Sequence, residues 1–187
     1  PAGSELDLAL RANLRTVLET AGYEPERAEA VVAMVADLER ELHGAMLSPV
    51  DAMNPILGYN PMPFAEVQAQ IPALDLSRML AALDVPVPET LVLTEPRYLP
   101  ALAKALAERP LSDIRDYLKV KVIAKFKPYL GTRFDDSARE WNRIVYGIDK
   151  LPPREELVQA SLQSNLGHPV SRLYIERHFS DETKAKA

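Results

Sequence analysis

The chain has 187 residues, 47% of them hydrophobic and 26% charged, the profile of a globular domain long enough to bury a core. Its formal net charge of −5, with no concentrated basic segment, excludes a nucleic-acid binder, which neutralises phosphates with clustered Lys and Arg. It has no cysteine, which excludes disulfides, a thiol nucleophile and thiolate-bound zinc.

Leu6, Leu10, Leu14, Val17 and Ala21 recur at helical steps and define a first helix from Ser4 to Ala21, stopped by Gly22. Pro25 opens a second helix whose apolar stripe is Val31, Val35, Leu38, Leu42 and Met46, with Glu39, Arg40 and Glu41 mostly off that face and Pro49 ending it. From Ser48 to Val87 the chain is punctuated by Pro49, Pro55, Pro61, Pro63, Pro72 and Pro86. Interleaved Ile56, Leu57, Tyr59, Met62 and Phe64 give this stretch the character of a packed, structured loop carrying two short helices, near Phe64–Gln70 and Asp75–Leu83. Thr90-Leu91-Val92-Leu93 is the one extended run. Helices then return over about Arg97–Glu108, Leu111–Leu130, Thr132–Ile148 and Pro153–Phe179, the last broken or kinked at Gly167-His168-Pro169. In the helix from Leu111, the stripe Ile114, Leu118, Val122, Phe126 and Leu130, widened by Tyr117, Val120 and Ile123, predicts a central, buried position. In the next, Phe134, Trp141, Val145 and Ile148 are expected to face the core. The fold class is all-α: one multi-helix domain over 1–187, with a Pro-rich structured loop and at most one short extended segment.

Catalytic constellations are wanting. His43, His168 and His178 form no H-E-x-x-H and no pair at the spacing that puts two imidazoles on one metal. No serine stands in a nucleophile motif, and the seven glycines are scattered singly, so there is no phosphate loop. Glu39/Glu41 and Asp135/Asp136 read as a solvated helix face and as first-turn acids. Lys119, Lys121, Lys125 and Lys127 read as a solvated face snorkelling over apolar neighbours. The aromatics Tyr117, Phe126, Tyr129, Phe134, Trp141 and Tyr146 read as core. The expectation is that no catalytic, cofactor-binding or metal residue lies in this chain, and that it makes no membrane contact, since no apolar run nears the ~20 residues of a spanning helix.

Pro1-Ala2-Gly3-Ser4 shows neither a basic start nor an apolar segment of a signal peptide. Ser180-Asp181-Glu182-Thr183 is a helix start less than two turns from Ala187, which reads as a piece of a longer polypeptide.

Several stretches, in order, resemble the N-terminal helical region of the neprilysin and endothelin-converting-enzyme family. These are Leu38-Glu39-Arg40-Glu41-Leu42, then Asn54-Pro55 and Tyr59-Asn60-Pro61-Met62, then Val92 to Leu99 leading into a Pro-x-Tyr-Leu helix start. Leu111 to Leu118, the aromatic helix closing on Tyr146-Gly147, and Val170-Ser171-Arg172-Leu173-Tyr174-Ile175 with Phe179 and Lys184 complete the series, which spans Leu6 to Lys184. Glu155 and Val158 stand where the family often carries Trp and a disulfide Cys, as in a bacterial-type member without disulfides. The resemblance implies a non-catalytic cap fragment of a zinc metalloendopeptidase, which encloses the active-site chamber and limits the size of peptide substrates. It further implies that zinc and the catalytic lobe of the same polypeptide lie beyond this chain, with the parent exported to the periplasm or anchored outside the cytoplasm. The alternative from a different class is a stand-alone helical module that binds a protein or peptide partner in a groove between helices.

Overall fold

Ser4 opens the first helix by accepting a hydrogen bond at its Oγ from the Asp7 N–H, 3.2 Å, and Glu5 and Asp7 place negative charge at the positive end of the helix dipole. The computed structural model describes residues 3–186. Pro1, Ala2 and Ala187, the outer limits of the two terminal readings, lie outside it, as does the side chain of Lys184. Helix α1 (Glu5–Thr20) ends in a left-handed Gly22, φ 97°. There Tyr23 N–H reaches the Leu18 carbonyl and Gly22 N–H the Glu19 carbonyl, each at 3.0 Å, and the chain turns into α2 (Pro25–Gly44). Only glycine takes that backbone without strain.

The chain divides into two compact units, Pro1–Ser137 and Ala138–Ala187. In the first, α2 is central. One flank of it buries Ala28, Val31, Val32 and Val35 together with Leu18 of α1 and Val120 of α6 (Leu111–Phe126). Further along, Leu38 and Leu42 close on Ala105 of α5 (Tyr98–Glu108), ringed by Tyr98 and Leu102. Arg109 binds Glu41 at 2.9 Å, fixing the α5–α6 turn to α2. Short helices α3 (Phe64–Gln70) and α4 (Leu76–Ala81) fill the proline-rich stretch, where Val67 and Ile71 are buried.

Two strands, β1 (Asn60–Pro63) and β2 (Thr90–Leu93), pair antiparallel in register Asn60↔Leu93 to Pro63↔Thr90. β2 is the extended run read in sequence. β1 is a second strand, masked there because Pro61 and Pro63 argue against a strand unless their missing N–H groups face away from the ladder. Leu47 N–H, just beyond α2, donates to Glu95 Oε2 at 2.7 Å, and Asn60 Nδ2 donates to the Leu93 carbonyl at 2.9 Å, which ties β1 to β2.

The second unit holds most of α7 (Asp135–Tyr146), then α8 (Arg154–Asn165), α9 (Gly167–His178) and α10 (Asp181–Lys186). The Gly167-His168-Pro169 interruption is a full break between two helices, with Leu166 at φ −127°. Thr183 N–H donates to Ser180 Oγ at 3.2 Å, the expected cap of α10.

Four burial expectations are corrected. Helix α6 is not central: Leu118, Val122, Phe126 and Leu130 are exposed, and its packed face is Asp116, Tyr117, Val120 and Ile123, one step round the helix. Of the α7 positions only Phe134, just before the helix, is buried, while Trp141, Val145 and Ile148 are exposed. The aromatics are mainly surface, with Phe126, Tyr129, Trp141 and Tyr146 exposed, and so are Ile56, Leu57 and Tyr59 in the proline-rich loop. An apolar stripe states only that a face wants a partner; on α6 Leu118, Val122 and Phe126 stay exposed.

Candidate docking surfaces

The Gly22 turn, the start of α2 and one face of α6 line an open groove of about 840 Å³. Its apolar floor is Tyr23, Leu118, Val122 and Ile123, and Arg27, Arg115 and Lys119 stand at its rim. The packing explains why these side chains are on show: α6 turns Val120 into the core, so Leu118 and Val122, two residues to either side, point outward at 57% and 56% exposure. Beneath the rim Asp116 is buried, and both Arg27 and Lys119 bind its carboxylate, the latter at 3.4 Å. Arg115 has no anionic partner among the described residues.

Lys121 and Lys119 leave α6 on different sides. Lys121 pairs with Glu39 of α2 and lies 5.0 Å from the Tyr117 ring centre. Partial burial pulls its ammonium pKa down, but the Glu39 carboxylate outweighs that and leaves it above the usual lysine value. Burial alone pushes Lys127 below it. Lys119 and Lys121 are thus ion-paired separately, Lys127 is half-covered and Lys125 is exposed, and they are not gathered into one basic patch. Likewise Glu39 and Glu41 are engaged separately, with Lys121 and with Arg109, and not as an acid–base pair.

In the second unit no described residue is fully buried, and α8 and α9 expose Leu157, Leu162, Leu166, Leu173 and Tyr174. His178 stacks near Tyr174, ring centres 4.7 Å apart. His43, His168 and His178 are all exposed, and the described residues contain no group of three His, Cys, Asp or Glu able to hold a metal. The donor set does not fit a zinc centre.

Three buried polar side chains escaped the sequence reading: Asn13, Asp116 and Ser137. Asn13 Nδ2 donates to the Ser137 carbonyl at 2.8 Å, and Ser137 Oγ donates to the Phe134 carbonyl at 2.9 Å, which ties α1 to the start of α7. The signal was present: Asn13 stands three residues after Leu10, and Asp116 four before Val120, each on the face that packs.

Architecturally this is a helical protein whose conspicuous features are uncovered apolar faces. The chain belongs to peptidase family M13: the model of that family's N-terminal region matches residues 2–187. It is 23% identical over 168 residues to a neutral endopeptidase of Lactobacillus helveticus, covering 90% of this chain and 26% of that protein. It is 23% identical over 163 residues to human neprilysin, covering 80% of this chain and 22% of that protein. The fold matches that of the Mycobacterium tuberculosis zinc metalloprotease ZMP1 in its open state with a TM-score of 0.86, at 22% identity, over 96% of this chain and 29% of that one. The chain therefore spans about a quarter of the length of the curated relatives it matches.

Proposed function

We propose that this chain is the non-catalytic helical cap of a zinc metalloendopeptidase, forming one side of a chamber that admits peptides of limited size. The observation that carries the reading is the family match across residues 2–187 of a chain whose described residues supply no metal ligands. The exposed apolar faces of α6, α8 and α9 support it: in the whole protein they are the surfaces on which the catalytic lobe and the rest of the polypeptide pack. Zinc, the water-activating base and the substrate-aligning groups belong to that lobe, and the parent acts outside the cytoplasm.

The test is a pair of assays. The 187-residue chain, once shown to be helical by circular dichroism, is expected to retain no stoichiometric zinc and to leave a fluorogenic heptapeptide intact. The full-length protein is expected to cleave the heptapeptide, to lose that activity to a chelator, and to leave a folded 20 kDa substrate untouched. Tight zinc binding or cleavage by the chain alone contradicts the reading, as does equal cleavage of the large substrate by the whole protein. The competing reading, a stand-alone helical interaction module, draws on the groove beside Tyr23. It requires that the full-length protein lack peptidase activity altogether.

A further inference from the structure

The groove beside the Gly22 turn is not wholly apolar: it carries a guanidinium with nothing to answer it. On α6, Arg115, Leu118 and Val122 follow one another at three- and four-residue steps, so they share the side of the helix that lines the groove. All three are exposed. The cations of the lining are not equivalent. Arg27 and Lys119 are bound to the buried Asp116 carboxylate, which holds them at the rim. Arg115 has no ionic partner among the described residues. With Glu24 in the lining and Asp116 beneath it, the groove keeps one positive charge in excess, in a chain whose net charge is −5.

Water satisfies Arg115 while the groove is open. A surface laid on Leu118 and Val122 removes that water, and a guanidinium left without an acceptor against apolar neighbours is strongly unfavourable. Whatever packs here must bring an acceptor to the Arg115 end. The excess of positive charge selects a carboxylate, which matches the guanidinium fork through two parallel bonds. We infer that the groove is filled by a segment of the same polypeptide beyond Ala187, apolar where it meets Leu118 and Val122 and bearing an Asp or Glu that pairs with Arg115. The occupant is intramolecular because this chain spans about a quarter of the length of its curated relatives, and a tethered segment outcompetes a separate partner through its effective concentration. The inference rests on the cap reading, which supplies the rest of the polypeptide, and adds the chemistry of one contact.

The full-length protein is used throughout. Arg115→Lys puts an amine in place of the guanidinium, and a zero-length carbodiimide couples it to a touching carboxylate that peptide mapping then locates. The expected product joins position 115 to an Asp or Glu beyond Ala187, and it is lost when the sample is denatured before coupling. A second readout needs no cross-link. Leu118→Cys is reacted with a maleimide and followed at its own peptide, with the same protein in guanidinium chloride as the unprotected reference. Labelling of the native protein is expected to be at least about tenfold slower than that reference. Adding Arg115→Lys is expected to leave the native rate within about threefold, whereas Arg115→Glu, which sets two carboxylates against each other, raises it about tenfold. Should Arg115→Glu unfold the protein, the cross-link and the Leu118→Cys rate decide by themselves. Native labelling at the unfolded rate, equal rates with Arg115→Lys and Arg115→Glu in folded protein, or no cross-link overturns the proposal. So does a cross-link only to Glu24, to Asp116 or to a second, isotope-labelled copy. Heptapeptide cleavage by the same samples separates the two readings. An active, chelator-sensitive protein with an open groove keeps the cap and overturns this contact, and an inactive one with a protected, cross-linked groove does the reverse.

Discussion

Asn13 sits on the packed face of α1 at 6% exposure, where an amide would be a liability if it were not bonded to the Ser137 carbonyl. Asn13→Leu keeps the branched outline of the side chain, slightly enlarged, and leaves that carbonyl without its donor, so denaturant unfolding should show a loss of about 1–3 kcal/mol. Asp7 is a surface group of different character. The backbone N–H of Gly3 and then the Arg11 guanidinium hold its carboxyl below the ordinary value. A carboxyl depressed in the folded state stabilises above its unfolded pKa and loses that contribution as pH falls through the folded one. Asp7→Asn should therefore melt lower than wild type at neutral pH, and the difference should close as pH falls below about 3.9, the ordinary aspartate value. A difference that persists at lower pH would point to packing instead of charge.

At the scale of elements, α6 makes the sharpest prediction because its two apolar faces differ in what they touch. Val120→Ala opens a space between α6 and α2 and should cost about 2 kcal/mol. Leu118→Ala, on the exposed face, should change the stability of this chain by no more than about 0.5 kcal/mol in thermal or denaturant unfolding. The same helix shows what could be read from residues alone. It stops at Phe126, short of the expected Leu130, where Pro128 has no N–H to continue it and Lys127–Tyr129 forms a 3-10 turn. Its start at Leu111, like that of α2 and the limits of α3, followed from proline and spacing, which act within one turn. Which face is buried did not, because α6 carries apolar side chains nearly all round and the choice is made by α2, a partner remote in sequence. The break at Gly167 was legible for the local reason. β1 was not, because a proline-bearing strand is recognisable only through the register of its neighbour.

For the whole molecule, the cap reading joins two observations: the described residues hold no group of three metal-ligating side chains, and much apolar surface is uncovered. A domain of this length normally buries enough of its own surface to stand alone, yet the second unit has no fully buried described residue and α6 shows Leu118, Val122 and Phe126 to solvent. In the cap reading proposed above, these faces are covered by the rest of the polypeptide. Sequence supplied the family through order and spacing across most of the chain, while its three histidines and scattered acids singled out no site.

The most direct test of the cap reading is to sequence the gene on the 3′ side of the codon for Ala187 and read the frame. The account predicts an H-E-x-x-H helix a few hundred residues on, followed by a further acidic zinc ligand. A frame that continues without that motif, or that closes at once, contradicts it and leaves a helical binding protein in its place.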